Sequence, residues 1–418
     1  MRNYDCLIVG SGHGGVQAAV ALRQHRFSGS IGLVSDDPDL PYERPPLSKD
    51  YLSGAKAFER IMIRPPDFWA ARNIDLLLGN EVTRLDVRNK RVSCADETAF
   101  GYGHLIWSAG GRPRKMTCAG HNLRGIHSVR SRKNVDGIMD ELAGIRRVVV
   151  IGGGYIGLEA AAVLSKLGKA VVVLEAMNRV LARVAAEPLS RFYEKEHGDH
   201  GIDIRLETNV ESFVGRDGRL AGVRLTNGET LPADMAIVGI GILPCVEPLI
   251  AAGATGSNGV DVDDHCRTSL PEVFAIGDCA RVTVGHGLRI ESVQNATDQA
   301  TAVAKTLCGQ PTPFGAVPWF WSNQYDLRLQ TVGLSSGYDE AIIRGNPAER
   351  KFTVVYLRDG AVIALDCVNS TKDYVEGRVL VERRARIGAD MLADSSITLK
   401  SMMNGCVDAA ASAVRGKV

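Results

Sequence analysis

The order of hydrophobic and polar positions repeats in two separate parts of the chain. The apolar run at 6–9 leads through a turn into a helix-like stretch at 16–25 and a second apolar run at 31–34. The same order recurs over residues 148–174. Short apolar runs separated by a turn and a helical period are typical of βαβ units with parallel strands. The pattern therefore predicts an α/β protein with two Rossmann-like units.

Alternating short strands follow the second unit. The stretch Val210–Leu231 contains Asp217-Gly218 and Asn227-Gly228, two dipeptides that favour hairpin turns. We expect an antiparallel meander here that covers the second parallel sheet.

The pattern changes again from about residue 326. Predicted strands at 351–357 and 361–366 flank an Asp-Gly turn, and helical periods follow at 374–386 and 399–415. These elements predict a separate C-terminal α+β domain.

Each βαβ unit contains the spacing Gly-x-Gly-x-x-Gly between its first strand and its helix. The glycines are Gly10, Gly12 and Gly15 in the first unit and Gly152, Gly154 and Gly157 in the second. The first glycine permits a tight turn, the second lets a pyrophosphate approach, and the third lets helix and strand pack closely. One such turn can serve packing alone. Two in this context predict two bound dinucleotides.

An acidic residue follows each unit at the end of its second strand, Asp36 in the first and Glu175 in the second. A carboxylate at this position can accept hydrogen bonds from a ribose diol and repels a 2′-phosphate. The alternative is a solvated acid at the end of a strand. The ribose interpretation predicts NAD rather than NADP as the nicotinamide nucleotide.

Composition limits the class of protein. The chain has 418 residues, of which 45% are hydrophobic and 23% charged, with a net charge of +1. This is typical of a globular protein of several domains and argues against nucleic acid as a partner. Neither a signal peptide nor an apolar run of membrane-spanning length is visible. We therefore expect a cytoplasmic protein that does not bind membranes.

The nine cysteines are scattered, without a Cys-x-x-Cys pair. This spacing argues against a zinc site, a bound iron–sulfur cluster or a redox-active disulfide. We expect no metal site, and we interpret the thiols as reduced and partly buried.

The segment 268–278, which ends in Ile276-Gly277-Asp278, resembles the FAD-dependent pyridine nucleotide-disulfide oxidoreductase superfamily. In that superfamily the aspartate lies beside the ribityl chain of FAD, which implies this role for Asp278. The segment 239–244, which contains Gly241, resembles the superfamily's return crossover from the NAD domain to the FAD domain.

Three segments carry a narrower resemblance, to the ferredoxin reductases of bacterial oxygenase systems and the related apoptosis-inducing factors. They are Pro41–Lys49, Glu291–Ala296 and Pro318–Tyr325. The resemblance covers nearly the whole chain. It implies a discontinuous FAD domain at 1–112 and 246–325, an NAD domain at 113–245 and a C-terminal domain at 326–418.

The resemblance also implies roles for individual residues. Lys49 is expected near the reactive edge of the flavin, with Glu159 as its ion-pair partner. A surface lysine and a helix-dipole acid are the alternatives. Further FAD contacts are implied at Gly14, Arg44, Val82, Arg130, Val293 and Trp321, although Trp321 could instead be a core aromatic. Further nucleotide contacts are implied at Tyr155, Ile156 and Gly241.

The stretches 16–25 and 41–49 contain no cysteine, so electrons are expected to leave from the flavin itself. The resemblance then implies hydride transfer from NADH to FAD, followed by single-electron transfer to a two-iron two-sulfur ferredoxin that supplies an oxygenase. A reductase of rubredoxin or of a radical such as monodehydroascorbate, and a non-enzymatic flavoprotein related to apoptosis-inducing factor, remain alternatives. The sequence leaves the oligomeric state open.

Overall fold

Both predicted βαβ units are present, and their strands are largely buried. The first consists of strand Arg2–Val9, helix His13–Gln24 and strand Ile31–Ser35. The second consists of strand Arg147–Ile151, helix Tyr155–Lys166 and strand Ala170–Leu174. In each unit the two strands are parallel. The α/β prediction with two Rossmann-like units is confirmed.

The structure, a computed structural model, describes residues 1–284 and 287–403. The chain divides into two units. Unit 1 contains Met1–Arg114, Arg130–Arg132 and Gly241–Ala316, and unit 2 contains Lys115–Val129, Lys133–Ile240 and the chain from Val317. Within the described ranges, no helix is long and apolar enough to cross a bilayer.

Unit 1 is built on a mixed sheet with helices on its faces. The strands of unit 1, including those outside this sheet, are Arg2–Val9, Ile31–Ser35, Ile74–Leu78, Val82–Asp86, Arg91–Cys94, Ala99–Trp107, Gly111–Pro113, Ile242–Pro244, Val260–Val262, Val273–Ala275 and Ala280–Val282. Its α-helices are His13–Gln24, Asp67–Ala71, Glu247–Ala251 and Val293–Leu307. Short 3₁₀ turns lie at Pro45–Ser48, Phe58–Arg60 and Gly277–Cys279.

Strand Arg2–Val9 lies at the centre of this sheet. It pairs in parallel with Ile31–Ser35 on one side and with Ala99–Trp107 on the other. Val273–Ala275 in turn pairs in parallel with Ala99–Trp107. Alternate side chains of the central strand enter different cores, Leu7 on one face and Ile8 on the other. The carboxyl ends of these parallel strands therefore lie along one edge of the sheet.

Unit 2 contains a parallel sheet, a meander and a C-terminal sheet. Its strands are Ile126–His127, Arg147–Ile151, Ala170–Leu174, Asp203–Arg205, Val210–Arg216, Arg219–Leu225, Thr230–Pro232, Met235–Val238, Trp319–Gln324, Leu327–Gly333, Glu340–Asn346, Lys351–Arg358 and Ala361–Val368. Its α-helices are Arg132–Glu141, which begins in unit 1, Tyr155–Lys166, Glu187–Asp199, Thr371–Glu382 and Ala389–Ala393. Short 3₁₀ turns lie at Leu142–Gly144 and Pro347–Glu349.

The predicted meander is confirmed. Val210–Arg216, Arg219–Leu225 and Thr230–Pro232 pair antiparallel. Phe213 and Leu225 share a core with Val149 and Ile151 of the parallel sheet, so the meander covers that sheet as expected.

The C-terminal sheet has five antiparallel strands and begins at Trp319, before the boundary predicted at residue 326. Its strands Lys351–Arg358 and Ala361–Val368 confirm the predicted hairpin. Helix Thr371–Glu382 occupies much of the helical stretch predicted at 374–386. Of the stretch predicted at 399–415, residues 399–403 are helical and the remainder lies outside the described residues. The three-domain division stays a prediction.

Candidate functional site

The glycines of the first turn have two different roles. Some are required by the backbone, and one leaves space in front of the helix. Gly10 has φ +106°, and a Cβ there would lie 2.4 Å from the Ser108 carbonyl oxygen. A Cβ on Gly15 would lie 1.8 Å from the Gly10 carbonyl oxygen. A Cβ on Gly12, by contrast, would meet no heavy atom of the described residues within 4 Å. The fold thus requires Gly10 and Gly15, whereas Gly12 leaves open space beside the helix.

The second turn has matching geometry. Gly152 also has φ +106°, and its Cβ would lie 2.4 Å from the Gly239 carbonyl oxygen. A Cβ on Gly157 would lie 2.1 Å from the Gly152 carbonyl oxygen, whereas one on Gly154 would meet nothing within 4 Å in the described part of the chain. The two turns, far apart in sequence, therefore each leave an equivalent open space at the start of a helix.

This space is suited to phosphate. Gly12 and Gly154 are the N-caps of their helices, and neither has a side chain that could cap the first turn. The N–H groups of a first helical turn have no partner within the helix, and they carry the positive end of its dipole. Neither first turn contains an acidic residue that would repel an anion. Each turn therefore fits the pyrophosphate of one dinucleotide.

Glu175 makes contacts that the sequence did not reveal. One carboxylate oxygen accepts from the Gly153 amide at 2.7 Å, and the other accepts from the Met177 amide at 2.8 Å. The side chain thus ties the second glycine turn to the end of its strand. A carboxylate has about four acceptor positions, so these bonds leave capacity for a ribose diol. The ribose contact stays a prediction.

Asp36 follows strand Ile31–Ser35 directly and is exposed. The end of this strand is linked to the glycine turn, because the Ser11 hydroxyl donates to the Ser35 hydroxyl oxygen at 2.8 Å. Asp36 thus lies beside the first turn, at the position expected for a ribose acid, and its contact with the nucleotide stays a prediction.

Asp278 lies in the turn Gly277–Cys279, directly after strand Val273–Ala275. The parallel pairing of that strand brings Asp278 to the sheet edge where the first glycine turn lies. A side-chain oxygen of Asp278 is 3.4 Å from Arg130 Nη2, and Arg289 donates to its main-chain carbonyl at 2.6 Å. The structure therefore joins two predicted FAD residues, Asp278 and Arg130.

Arg44 extends this group. Its guanidinium donates to the Arg130 carbonyl oxygen at 2.8 Å and to the Tyr42 hydroxyl at 3.1 Å. Tyr42 in turn donates to Asp37 at 2.7 Å and accepts from the Arg132 amide at 2.9 Å. Sequence reasoning missed Tyr42 and Asp37 as supports of Arg44, although Tyr42 lies within the segment Pro41–Lys49.

His13 opens the helix after the first glycine turn. Burial lowers its pKa to about 4, and the nearby Arg44 acts in the same direction. The imidazole is therefore neutral near pH 7.

The remaining predicted FAD residues of unit 1 differ in their surroundings. Lys49 follows the turn Pro45–Ser48, and its ammonium donates to the Pro45 carbonyl oxygen at 3.2 Å. Val82 packs against the core, and Val293 begins helix Val293–Leu307. Gly14 lies against Ala296 of that helix, with a hypothetical Cβ 3.5 Å from the alanine methyl. Their contacts with FAD stay predictions.

Gly241, at the return crossover, has φ +96° and accepts from the Arg114 amide at 2.9 Å. This bond lies beside the short antiparallel pairing of Gly111–Pro113 with Ile242–Pro244. The return-crossover segment is thus paired with Gly111–Pro113, while the contact of Gly241 with a nucleotide stays a prediction.

Glu159 is 1% exposed and lies in helix Tyr155–Lys166. Its carboxylate accepts from the Ser322 hydroxyl at 2.6 Å. Tyr155 of the same helix contacts Phe320, which lies with Ser322 in strand Trp319–Gln324, and the two ring centroids are 4.8 Å apart. The strand Trp319–Gln324 therefore packs against the helix that follows the second glycine turn.

Two further predicted residues of unit 2 are accessible. Ile156 is 44% exposed in the first turn of its helix, where a nucleotide could cover it. Trp321 is partly exposed, and its ring lies 5.5 Å from that of Trp319. These roles stay predictions.

The described cysteines are free thiols, and five of the eight are buried. Burial raises the pKa of Cys94 to about 11 and of Cys279 to about 12. Protonated thiols are poor nucleophiles, so these two are not activated for redox chemistry.

Comparison with known proteins agrees with this geometry. Residues 4–300 match the family model of the pyridine nucleotide-disulphide oxidoreductases, and residues 319–403 match a reductase C-terminal model. The chain is 55% identical to a ferredoxin–NAD(P)⁺ reductase from Sphingomonas, over 96% of this chain and 98% of the relative. It is 54% identical to the ferredoxin reductase subunit of 5,5′-dehydrodivanillate O-demethylase from Sphingobium, over 96% and 99%.

A solved structure is similar over nearly its whole length. The covalent complex of putidaredoxin reductase with putidaredoxin contains a chain that superposes with a TM-score of 0.92 at 39% identity, covering 97% of this chain and 99% of that one. The chain therefore belongs to the pyridine nucleotide-disulphide oxidoreductase family. It is an FAD-dependent oxidoreductase that uses a nicotinamide dinucleotide.

Proposed function

We propose that this protein is an NADH-dependent ferredoxin reductase that supplies an oxygenase through a two-iron two-sulfur ferredoxin. One observation carries the proposal: the chain has two matching dinucleotide turns, while the stretches 16–25 and 41–49 contain no cysteine that could take electrons from a flavin. Electrons that enter from one dinucleotide must then leave from the other. Bound FAD supplies this chemistry, because it accepts a hydride and releases electrons singly.

Residues of the chain bind and orient the two nucleotides. The open turns at Gly12 and Gly154 receive the pyrophosphates through helix N-terminal amides. We propose that Asp278 and Arg130, whose side chains lie 3.4 Å apart, contact the FAD beyond its phosphates. We propose that Asp36 and Glu175 accept hydrogen bonds from the two riboses.

Glu175 supports NADH as the donor. Its carboxylate is fixed by two backbone amides at the end of the strand, so it cannot readily turn away from an incoming ribose. A fixed negative charge at this position repels the 2′-phosphate of NADPH. We therefore assign the second turn to NADH.

We assign Lys49 to the reactive edge of the flavin, with Glu159 as its partner. A positive charge there would stabilise the negative charge that FAD acquires on reduction. Glu159 is buried and hydrogen-bonded to Ser322, which keeps its carboxylate in place.

Relatives support an aromatic-compound oxygenase as the final recipient. The relatives at 55% and 54% identity are named as a ferredoxin reductase and as the reductase subunit of an O-demethylase. Rubredoxin reductases from Pseudomonas putida and Ectopseudomonas oleovorans are less similar, at 36% and 35% identity. Ferredoxin is thus the better-supported acceptor. We propose a cytoplasmic location, where NADH is available.

A panel of acceptors tests the proposal. Purified protein is assayed with NADH and either two-iron ferredoxins, rubredoxin or ferricyanide. We expect at least one ferredoxin to be reduced with a kcat/KM well above that for rubredoxin. Reduction of rubredoxin and ferricyanide without any ferredoxin would overturn the assignment of the acceptor.

A further inference from the structure

A chain of buried hydrogen bonds within unit 2 leads from Glu159 to the partly exposed Tyr325. Ser322 Oγ lies 2.6 Å from Glu159 Oε1, and Gln324 Nε2 lies 3.2 Å from Ser322 Oγ. His197 Nε2 lies 2.7 Å from Gln324 Oε1, and the Tyr325 hydroxyl lies 3.2 Å from His197 Nδ1. Four contacts thus join an acid of the NAD-type fold to the C-terminal sheet.

The side chains inside this chain of hydrogen bonds are buried. Ser322 and His197 are 0% exposed, and Gln324 and Glu159 are 1% exposed. Buried polar groups without partners are costly, so each member depends on its neighbours. At the outer end, the Tyr325 ring stacks on His200 with centroids 3.7 Å apart.

The hydrogen bonds of this series can all be donated in one direction, from Tyr325 towards Glu159. Ser322 has one hydroxyl proton, which it must give to Glu159 if that carboxylate is ionised. Ser322 then accepts from the Gln324 amide nitrogen, which leaves the Gln324 oxygen to accept from His197 Nε2–H. A neutral His197 with its proton on Nε2 must accept at Nδ1, so Tyr325 donates there.

The opposite order would remove the bond to Glu159. If the His197 proton lay on Nδ1, Nε2 would accept from a rotated Gln324 amide, and Ser322 would donate to the Gln324 oxygen rather than to Glu159. The tautomer of His197 is therefore coupled to the Ser322–Glu159 hydrogen bond through Gln324.

We propose that Ser322, Gln324 and His197 are positioning residues that hold the Glu159 carboxylate in place through this one-way chain of hydrogen bonds. The proposal rests on the proposed function for the consequence of that placement, namely faster reduction of the flavin by NADH. It assigns the first strand of the C-terminal sheet, Trp319–Gln324, a part in the chemistry as well as in packing.

Aromatic and imidazole groups also surround this chain of hydrogen bonds. Tyr155 and Tyr193 lie close enough to Glu159 to interact with its charge, while His200 and Tyr193 lie near His197. Burial lowers the pKa of His197 to about 4. A neutral ring accords with the tautomer described above, which follows from the donor geometry.

The first test reads the tautomer directly in the FAD-loaded protein. Two-bond ¹H–¹⁵N spectra of histidine-labelled enzyme report which ring nitrogen carries the proton, and the signal missing from His197→Gln assigns the residue. We expect His197 to be neutral with its proton on Nε2 from pH 6 to pH 8. A proton on Nδ1, or a mixture of tautomers, would overturn the proposal. This measurement needs no electron acceptor, so its outcome does not depend on whether the proposed function is correct.

The second test is a double-mutant cycle on the rate of flavin reduction by NADH. Ser322→Ala should slow reduction by about tenfold, since it removes a bond to a charged acceptor. In a Glu159→Gln background the same change should have little further effect, because the two residues act together. An equal loss in both backgrounds would contradict the positioning role.

Ser190→Ala provides a matched control. Ser190 is a buried serine of unit 2 that accepts from Arg179 and takes no part in the chain. We expect it to leave the rate of flavin reduction and the His197 tautomer unchanged. A Ser190→Ala loss as large as that of Ser322→Ala would show that any buried serine matters equally, and would overturn the specific role.

Discussion

Gly12 and Gly154 lie in different units, yet a methyl group on either would meet no described heavy atom within 4 Å. Each begins a helix as its N-cap. A glycine that the protein itself does not need for space indicates that something else comes close. We assign that space to the pyrophosphates of FAD and of NADH respectively.

Substitution of these glycines should therefore affect ligands more than folding. Gly12→Ala should lower FAD content while thermal stability without FAD stays near that of wild type. Gly154→Ala should raise KM for NADH by about tenfold or more while FAD is retained, since 1.4 kcal/mol suffices for this change. Absorbance at the flavin band and steady-state kinetics measure both effects.

Gly15→Ala and Gly157→Ala serve as contrasts. Their methyl groups would collide with main-chain oxygens of the same turns, so these variants should be destabilised or insoluble. Equal behaviour of Gly12→Ala and Gly15→Ala would show that the turn, rather than a ligand, requires Gly12.

A second prediction concerns the choice of nucleotide. Wild-type kcat/KM should be at least about tenfold higher with NADH than with NADPH. Glu175→Ala should narrow this preference mainly by weakening NADH, because it removes the ribose acceptor and the link to the Gly153 amide. Equal or better use of NADPH by the wild type would remove Glu175 from the role assigned to it.

The strand, turn and helix pattern predicted the two βαβ units because local periodicity and glycine spacing define them. It did not reveal that Glu175 holds its own turn or that Tyr42 links Asp37 with Arg44, because these bonds depend on the conformations of individual side chains. The relation of Ser322 to Glu159 was also hidden, since 163 residues separate them. They come together only because strand Trp319–Gln324 packs against helix Tyr155–Lys166.

A third prediction concerns Lys49. Lys49→Met keeps much of the aliphatic stem but removes the charge, so it should slow flavin reduction by NADH or lower the flavin potential without unfolding the protein. Glu159→Gln should act in the same direction but more weakly. Stopped-flow reduction and redox titration of bound FAD measure both variants.

Lys56→Met is the control for the loss of one positive charge, because the Lys56 side chain is 40% exposed and pairs with Asp50 at 2.7 Å. Lys56→Met should leave the rate of flavin reduction and the flavin potential unchanged. If Lys49→Met also left both unchanged, Lys49 would lie away from the flavin.

A fourth prediction follows from a buried acid in the C-terminal sheet. Asp366 is 4% exposed and accepts a hydrogen bond from Tyr356, and burial raises its pKa to about 7. Between the ordinary value of 3.8 and 7 the folded state holds a proton that the unfolded state releases. The contribution of this group to stability is therefore fully present below pH 3.8 and is lost as pH rises towards 7.

Asp366→Asn should remove this dependence. The free energy of unfolding of the variant, relative to wild type, should rise between pH 5 and pH 7, by at most about 1.4 kcal/mol per pH unit. Urea unfolding at several pH values measures the trend. Asp359→Asn, at an exposed turn, should show no such trend, and a flat difference for Asp366→Asn would mean that its carboxyl is ionised throughout.

The central claim is that electrons enter as a pair from NADH and leave singly to a two-iron ferredoxin. Its most direct test is anaerobic mixing of the FAD-loaded protein with one equivalent of NADH and an excess of ferredoxin, followed by the spectrum of each component. The account predicts that two ferredoxins are reduced for each NADH oxidised. Flavin that is reduced by NADH but passes no electrons to any two-iron ferredoxin, while still reducing ferricyanide, would contradict it.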